Sequence, residues 1–296
     1  MRARMLCGWL AFALAAGCAH KPPPPPPPAP PPTAPPPPGE TLRFRATAGD
    51  EPHARVKLTI DQDQTRTKAG AEAGPPQHLS LAFEFADEER VEQLAADGTA
   101  SFSARLVDAV GKVSEGGNQK LVDDFALALD DLKIRFQRAP RGEVTALLLS
   151  GLHPPLEEGT ARAMLNALYS SQRGNLLPEQ PTVVGGGWKV ETLLPPSTGF
   201  TGLVSYEYTL ARKGGGVAVI TCRGTVEGKG ASGGRTMTGK SSGEYRLEVE
   251  TGRLIGSVVD SDVLVDQQVG TPPTQLSVKQ HVHAEWTLVD ANQGSK

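Results

Sequence analysis

The chain has 296 residues, with 30 basic and 33 acidic side chains and a net charge of −3. That balance lacks the basic excess with which proteins attract nucleic acid. Its cysteines, Cys7, Cys18 and Cys222, are too few and too scattered for an internal disulfide framework, so a folded domain must rest on its apolar core.

The N-terminal region reads as an export signal. Arg2 and Arg4 precede an apolar run from Met5 to Gly17, and the small residues Ala15, Ala16 and Gly17 lead into Cys18. The run is shorter than the ~20 residues that span a bilayer. This pattern resembles a bacterial lipoprotein leader over residues 1–17. The resemblance implies that Cys18 becomes a lipidated N-terminus outside the cytoplasm. Ala15 stands where such leaders most often carry Leu. Ordinary cleavage near Ala16 or Ala19, giving a secreted protein, is the alternative. Ala19 in place of Asp after the cysteine implies the outer membrane as the address.

Residues 18–39 form the expected tether, and 14 of the 17 residues from Pro22 to Pro38 are proline. Proline lacks the amide donor that helix and sheet require, so the tract adopts polyproline II. At about 3.1 Å per residue it reaches on the order of 50 Å. A ligand for an SH3-type domain would share this composition but has no place outside the cytoplasm.

Strand-like alternation dominates the first half, 40–152. Leu42, Phe44 and Ala46 form one apolar stripe, and Val56, Leu58 and Ile60 a second. Leu79, Leu81, Phe83 and Phe85 follow, then Phe102, Ala104 and Leu106. Leu132, Ile134 and Phe136 enter a turn at Ala139-Pro140-Arg141-Gly142, and Val144, Ala146 and Leu148 leave it. Each stripe puts apolar groups on one face of a sheet and polar groups on the other.

The connector, 153–187, changes period. Ala161, Met164, Leu165 and Leu168 lie at helical spacing, with Glu157 and Glu158 at the N-terminal end and Gly174 as a cap. A helix is predicted over Glu157–Arg173 and a weaker one around Val122–Leu129. Gly185, Gly186 and Gly187 open a looser stretch. The second half, 188–296, returns to alternation. Val204, Tyr206, Tyr208 and Leu210 form one stripe, Val217, Val219 and Thr221 another. Tyr245, Leu247 and Val249 enter a turn at Glu250–Arg253, and Leu276, Val278, Ala284, Trp286 and Leu288 share the last strand's apolar face. The hairpin around Arg141-Gly142 resembles that around Thr251-Gly252, so the two halves could be a degenerate duplication.

A cysteine closing the leader, a β-rich first half, LALDDLKIRFQRAPRGEVTALLLSGL, an amphipathic helix, VVGGGWKVE and GKSSGEYRLEVETGRL together resemble an uncharacterised family of bacterial cell-envelope lipoproteins. The resemblance spans most of residues 40–290. Its motifs are turns and strand patterns, and it brings no catalytic residues.

The motifs that could carry chemistry each have a structural alternative. Gly234 to Ser241 satisfies the P-loop pattern, in which Lys240 would reach phosphates and Ser241 a magnesium ion. The Gly-rich run before it and the two-period strand after it favour a hairpin connection. Gly239-Lys240-Ser241-Ser242-Gly243 matches the hydrolase elbow, but the elbow needs a helix after the serine. His281, His283 and Glu285 share one face of a strand and are the weak metal candidates, set against a solvated polar face. Cys222 reads as a buried inert thiol. Asp123-Asp124 and Asp130-Asp131 read as solvated charge doublets.

The expected fold is mainly antiparallel β of the α+β class. Two β-rich halves form curved sheets or half-barrels, with one or two helices. The expected function is a membrane-anchored envelope lipoprotein, non-enzymatic, with a binding or structural role toward an apolar ligand or an envelope protein. No catalytic residue, cofactor or metal is assigned, and lipidation falls on Cys18. A periplasmic hydrolase built on Ser241, or a metal-dependent enzyme built on the His281 group, is the alternative.

Overall fold

The computed structural model describes residues 39, 41–68, 72–115, 118–121, 128–129, 132–152, 177–194, 199–230, 234–270 and 274–289. The signal, the tether up to Pro38, the helix expected over 157–173, the four aspartates and most of 122–129 lie outside the described residues. Ala128 and Leu129 are helical and buried.

Twelve strands follow in chain order: β1 (His53–Lys68), β2 (Gln77–Leu94), β3 (Ala100–Glu115), β4 (Asn118–Leu121), β5 (Lys133–Arg138), β6 (Val144–Ser150), β7 (Gly187–Leu193), β8 (Phe200–Gly214), β9 (Val217–Gly230), β10 (Arg235–Glu248), β11 (Leu254–Val269) and β12 (Thr274–Val289). The expected two sheets are one. The order is β6-β5-β3-β2-β1-β12-β11-β10-β9-β8-β7, with β4 pairing beside β3, and every pair is antiparallel. Each half is a meander, and the first and last strands zip together along 16 register positions from His53–Val289 to Lys68–Thr274. That long pairing is why the halves do not separate: β1 and β12 each hydrogen-bond on both sides. β6 and β7 end that order, and β4 pairs on one side only, among the described strands.

Period-2 alternation puts one side chain of each pair inside. One inner row runs Tyr206, Gly224, Ser241, Ser261, Val282, Ile60 and Leu81 across seven strands. The inner apolar cluster is large and includes Leu58, Phe83, Phe102, Leu106, Ile134, Leu210, Ile220, Leu247 and Trp286. A second cluster of Leu194, Phe200, Val204, Met237, Val263 and Val265 lies at the other end of β8–β11. The outer face of β1 carries Arg55, Lys57, Thr59, Asp61 and Asp63. This polarity is the reverse of a membrane-spanning barrel, which turns an apolar band outward.

Two non-glycine residues with positive φ break the alternation. Asp108 (φ 54°) sits within β3 and Ala146 (φ 52°) within β6. Past Ala146 the parity flips. Leu147 and Leu149 pack against the core and Leu148 is 62% exposed, so the expected stripe of Val144, Ala146 and Leu148 does not hold. The register of β5 against β6 slips at the same place, between Arg135 and Gln137.

Leu42–Ala46 is also not the expected strand. It is a strap across the end of the sheet. Leu42 inserts into the core, Phe44 N–H donates to the Pro140 carbonyl (2.7 Å) and Arg45 N–H donates to the Thr251 carbonyl (3.1 Å). Arg43 Nη1 and Nη2 donate to the carbonyls of Pro178 (2.8 Å) and Glu179 (2.9 Å). One five-residue stretch thus joins the β5–β6 turn, the β10–β11 turn and the chain entering β7.

Candidate functional site

The outer face of β11, β12, β1 and β2 gathers histidines and carboxylates into a ladder. Register places Asp260 beside His283, Asp262 beside His281, His281 beside Asp61, and Asp63 beside His78. His281 Nδ1 lies 3.0 Å from Asp262 Oδ1, and His78 Nδ1 lies 2.9 Å from Asp63 Oδ1. His283 Nδ1 is 2.7 Å from Asp260 Oδ1 and its Nε2 is 3.2 Å from Glu285 Oε1. Only the imidazolium can donate from both nitrogens. Its pKa is accordingly raised, first by the Asp260 hydrogen bond and, more weakly, by Glu285, against some desolvation. The expected metal candidates His281, His283 and Glu285 do share a face, but their nitrogens are directed at carboxylates. Among the described residues no group of three or more His, Cys, Asp or Glu side chains is arranged to hold a metal ion.

The contacts of His283 make stability depend on pH. The folded-state pKa of His283 lies above the unfolded value of about 6.5, so its contribution is complete below that value. It is lost as pH rises through the folded value. The groups facing it are Asp260 on β11, His281 and Glu285 on its own strand, and Lys57 and Asp61 flanking Thr59 on β1. The ring is partly exposed, so the loss amounts to about 0.5 kcal/mol after solvent screening. Urea titrations between pH 5.5 and 8.5 should show this decline, and His283→Gln should reduce it.

The P-loop-like motif is part of a strand, rather than the expected hairpin connection. Residues Arg235–Glu248 form β10, paired on both sides, with Lys240 opposite Asp262 and Thr225. Such an extended backbone cannot wrap a phosphate, which needs a loop opening a helix. Ser241 faces inward opposite Gly224, where an added Cβ would overlap the Ser241 hydroxyl and sit 2.6 Å from the Tyr206 ring. The glycines here clear room for aromatic rings on the inner face. Tyr208 stacks on Trp188 at 5.6 Å and lies 5.9 Å from Tyr206. Tyr245 is fully buried beside Cys222, to which it hydrogen-bonds, and its hydroxyl pKa rises well above the ordinary value through burial. Burial pushes the Cys222 thiol up to about 11, which leaves it protonated and inert at neutral pH.

The feature that sequence reasoning missed is a pair of grooves at β5–β6. The parity flip at Ala146 turns Leu148 outward, in register with Arg135. A groove of about 660 Å³ runs over the outer residues of β2, β3, β5 and β6, including Glu88, Arg105, Lys133, Arg135 and Leu148. A second groove of about 390 Å³ shares Arg135 and Leu148 and is lined further by Phe102, Phe136 and Ala146. Glu88 is taken by Arg105 (2.6 Å) and approached by His53 (3.6 Å). Among the described residues no carboxylate pairs with Lys133 or Arg135. A non-glycine residue at positive φ leaves no pattern in sequence, so only the flipped stripe itself could have signalled the site.

No protein-family model matches the chain, and no curated protein matches it. Among solved structures the chain is similar to lipovitellin, in a structure titled for its lipid–protein interactions. The TM-score is 0.49 and the identity 9%, over 82% of this chain and 25% of that one. The chain therefore spans about a quarter of the lipovitellin chain. It is also similar to an outer membrane channel from Pseudomonas putida F1, with a TM-score of 0.23 and 10% identity over 83% of this chain and 97% of that one. For Ail, the attachment invasion locus protein of Yersinia pestis, the TM-score is 0.16 and the identity 5%, over 81% and 99%.

Proposed function

We propose that the chain is a non-enzymatic envelope lipoprotein whose antiparallel head binds a partner molecule. Cys18 carries the lipid, the proline tract spaces the head from the outer membrane, and the sheet presents the binding surface. The observation that carries this reading is the strap. The segment that follows the tract in sequence is built into one end of the sheet through Leu42, Phe44 and Arg45. An anchor at Cys18 would hold the head by that end. The turns joining β1–β2, β9–β10 and β11–β12 would then point away from the lipid surface.

The binding reading is supported by how the inner and outer faces differ. At the strap end Leu42, Leu129, Leu132 and Leu177 pack into the sheet's apolar cluster and leave a cavity of about 150 Å³ beside Phe44, Phe102, Leu254 and Trp286, smaller than the ~300 Å³ from which small-molecule sites start. The open grooves lie on the outer face at β5–β6. A ligand is therefore assigned to the outside of the sheet. The hydrolase alternative draws no support from Ser241, which faces Gly224 within the sheet.

The test is fractionation with intact-mass analysis. The native chain should sediment with membranes and carry acyl mass on a fragment beginning at Cys18. The Cys18→Ser variant should be released to the soluble fraction. An unmodified chain beginning at Met1, or a product starting beyond residue 18, would overturn the anchor.

A further inference from the structure

The two grooves at β5–β6 differ in chemistry and share one wall. Lys133 and Arg135 lie two residues apart on the outer face of β5, roughly 7 Å along the strand. That spacing lets both cations bracket one anion, the Arg through its planar fork and the Lys as a point charge. Both lack a carboxylate partner among the described residues, whereas neighbouring Arg105 is already held by Glu88. On the other side of Arg135, the exposed Leu148 leads into the second groove, where Ala146, Ser101, Gln137 and Glu92 lie over the buried Phe102 and Phe136. Both volumes, about 660 and 390 Å³, fall in the range of small-molecule sites, about 300–1,000 Å³. A bare anion would use only the first groove and an uncharged hydrocarbon only the second. The shared Arg135–Leu148 wall fits a molecule that has both parts.

We propose that this double groove binds one anionic amphiphile, a lipid with a phosphate head on Lys133 and Arg135 and an acyl chain laid past Leu148. This deepens the binding reading above and rests on it. A head held near a membrane has such lipids as its nearest ligands. The groove is cationic while the chain as a whole is acidic, so the complementarity is local to β5 and does not come from net charge.

The test is calorimetric titration of the full chain carrying Cys18→Ser with dodecyl phosphate, kept below its micelle concentration. Dodecanol and inorganic phosphate are titrated in parallel. Dodecyl phosphate should bind one to one, at least tenfold more tightly than either comparison compound. The double variant Lys133→Gln/Arg135→Gln, and separately Leu148→Asp, should each weaken it tenfold or more. Lys57→Gln, on the outer face of β1, should leave it unchanged. These side chains are at the surface, and circular dichroism checks that each variant folds. Undiminished binding by the double variant would overturn the proposal. So would dodecanol or phosphate binding as tightly as dodecyl phosphate. The titration needs no anchor. Retained binding beside an unlipidated Cys18 would sink only the anchored-lipoprotein reading, and absent binding beside a lipidated Cys18 would sink only the groove.

Discussion

Replacing Arg138 with leucine should cost about 3–5 kcal/mol of folding stability, read from the urea midpoint and slope. Arg138 and Glu89 form an ion pair at 3.2 Å with side chains only 10% and 4% exposed. The guanidinium also lies 4.6 Å from the Phe102 ring centre, 5.1 Å from that of Phe136 and 5.9 Å from that of Phe44. Removing the cation leaves a carboxylate inside the sheet with its main countercharge gone, and loses the flat stem that fills the space between three rings. The double variant Arg138→Leu/Glu89→Leu should recover much of the loss, because an uncharged pair of similar volume avoids the desolvation penalty. A single-variant effect below about 1 kcal/mol would mean the pair behaves as a surface contact.

Gly252→Ala is expected to be nearly as damaging, at about 3 kcal/mol. Gly252 has φ +66° in the β10–β11 turn, a conformation that costs an alanine about 1–2 kcal/mol. The larger part comes from the strap. An added Cβ would overlap the Arg43 carbonyl oxygen and stand 2.7 Å from its carbon, so the turn and the strap cannot both keep their places. The amides of Phe44 and Arg45, bonded to Pro140 and Thr251, should then exchange with solvent much faster. Gly49→Ala separates the two contributions. Gly49 also has positive φ (+86°) but open space where its Cβ would go, so it should cost only the backbone part. Equal effects from the two variants would show that the strap bears no load.

Both predictions concern one end of the molecule, and that end explains how the open sheet keeps its shape. Two turns from opposite halves, at Pro140 and at Thr251, are tied to the same short segment. At the other end the sheet depends on its apolar rows and on glycines. Gly228, for example, leaves room for Leu194, Phe200 and Met237, and an added Cβ would stand 2.8 Å from the Leu194 side chain.

Much of this was legible in the sequence because a strand's period is local. The stripes of Val56, Leu58 and Ile60 or of Leu276, Val278 and Ala284 need only the alternation of a pleated chain to be read, and so does the burial of Cys222. That His281, His283 and Glu285 share a face follows from the same period. What they face does not. Asp260 and Asp262 reach them across the β11–β12 hairpin and Asp61 across the pairing of β12 with the distant β1, and only register decides which residues meet. The joining of β1 to β12, and with it the merging of two meanders into one sheet, is a contact between the two ends of the domain. Its free energy is paid back only once everything between has folded. The left-handed residues Asp108 and Ala146 belong to the same class. Alanine does not favour positive φ and aspartate only tolerates it better than most residues, so the surrounding sheet holds them there. Local chemistry thus determined which segments are strands and which side chains are apolar. Tertiary pairing decided which strands meet, where the alternation flips, and hence that Leu148 and Arg135 come to share the wall of a groove.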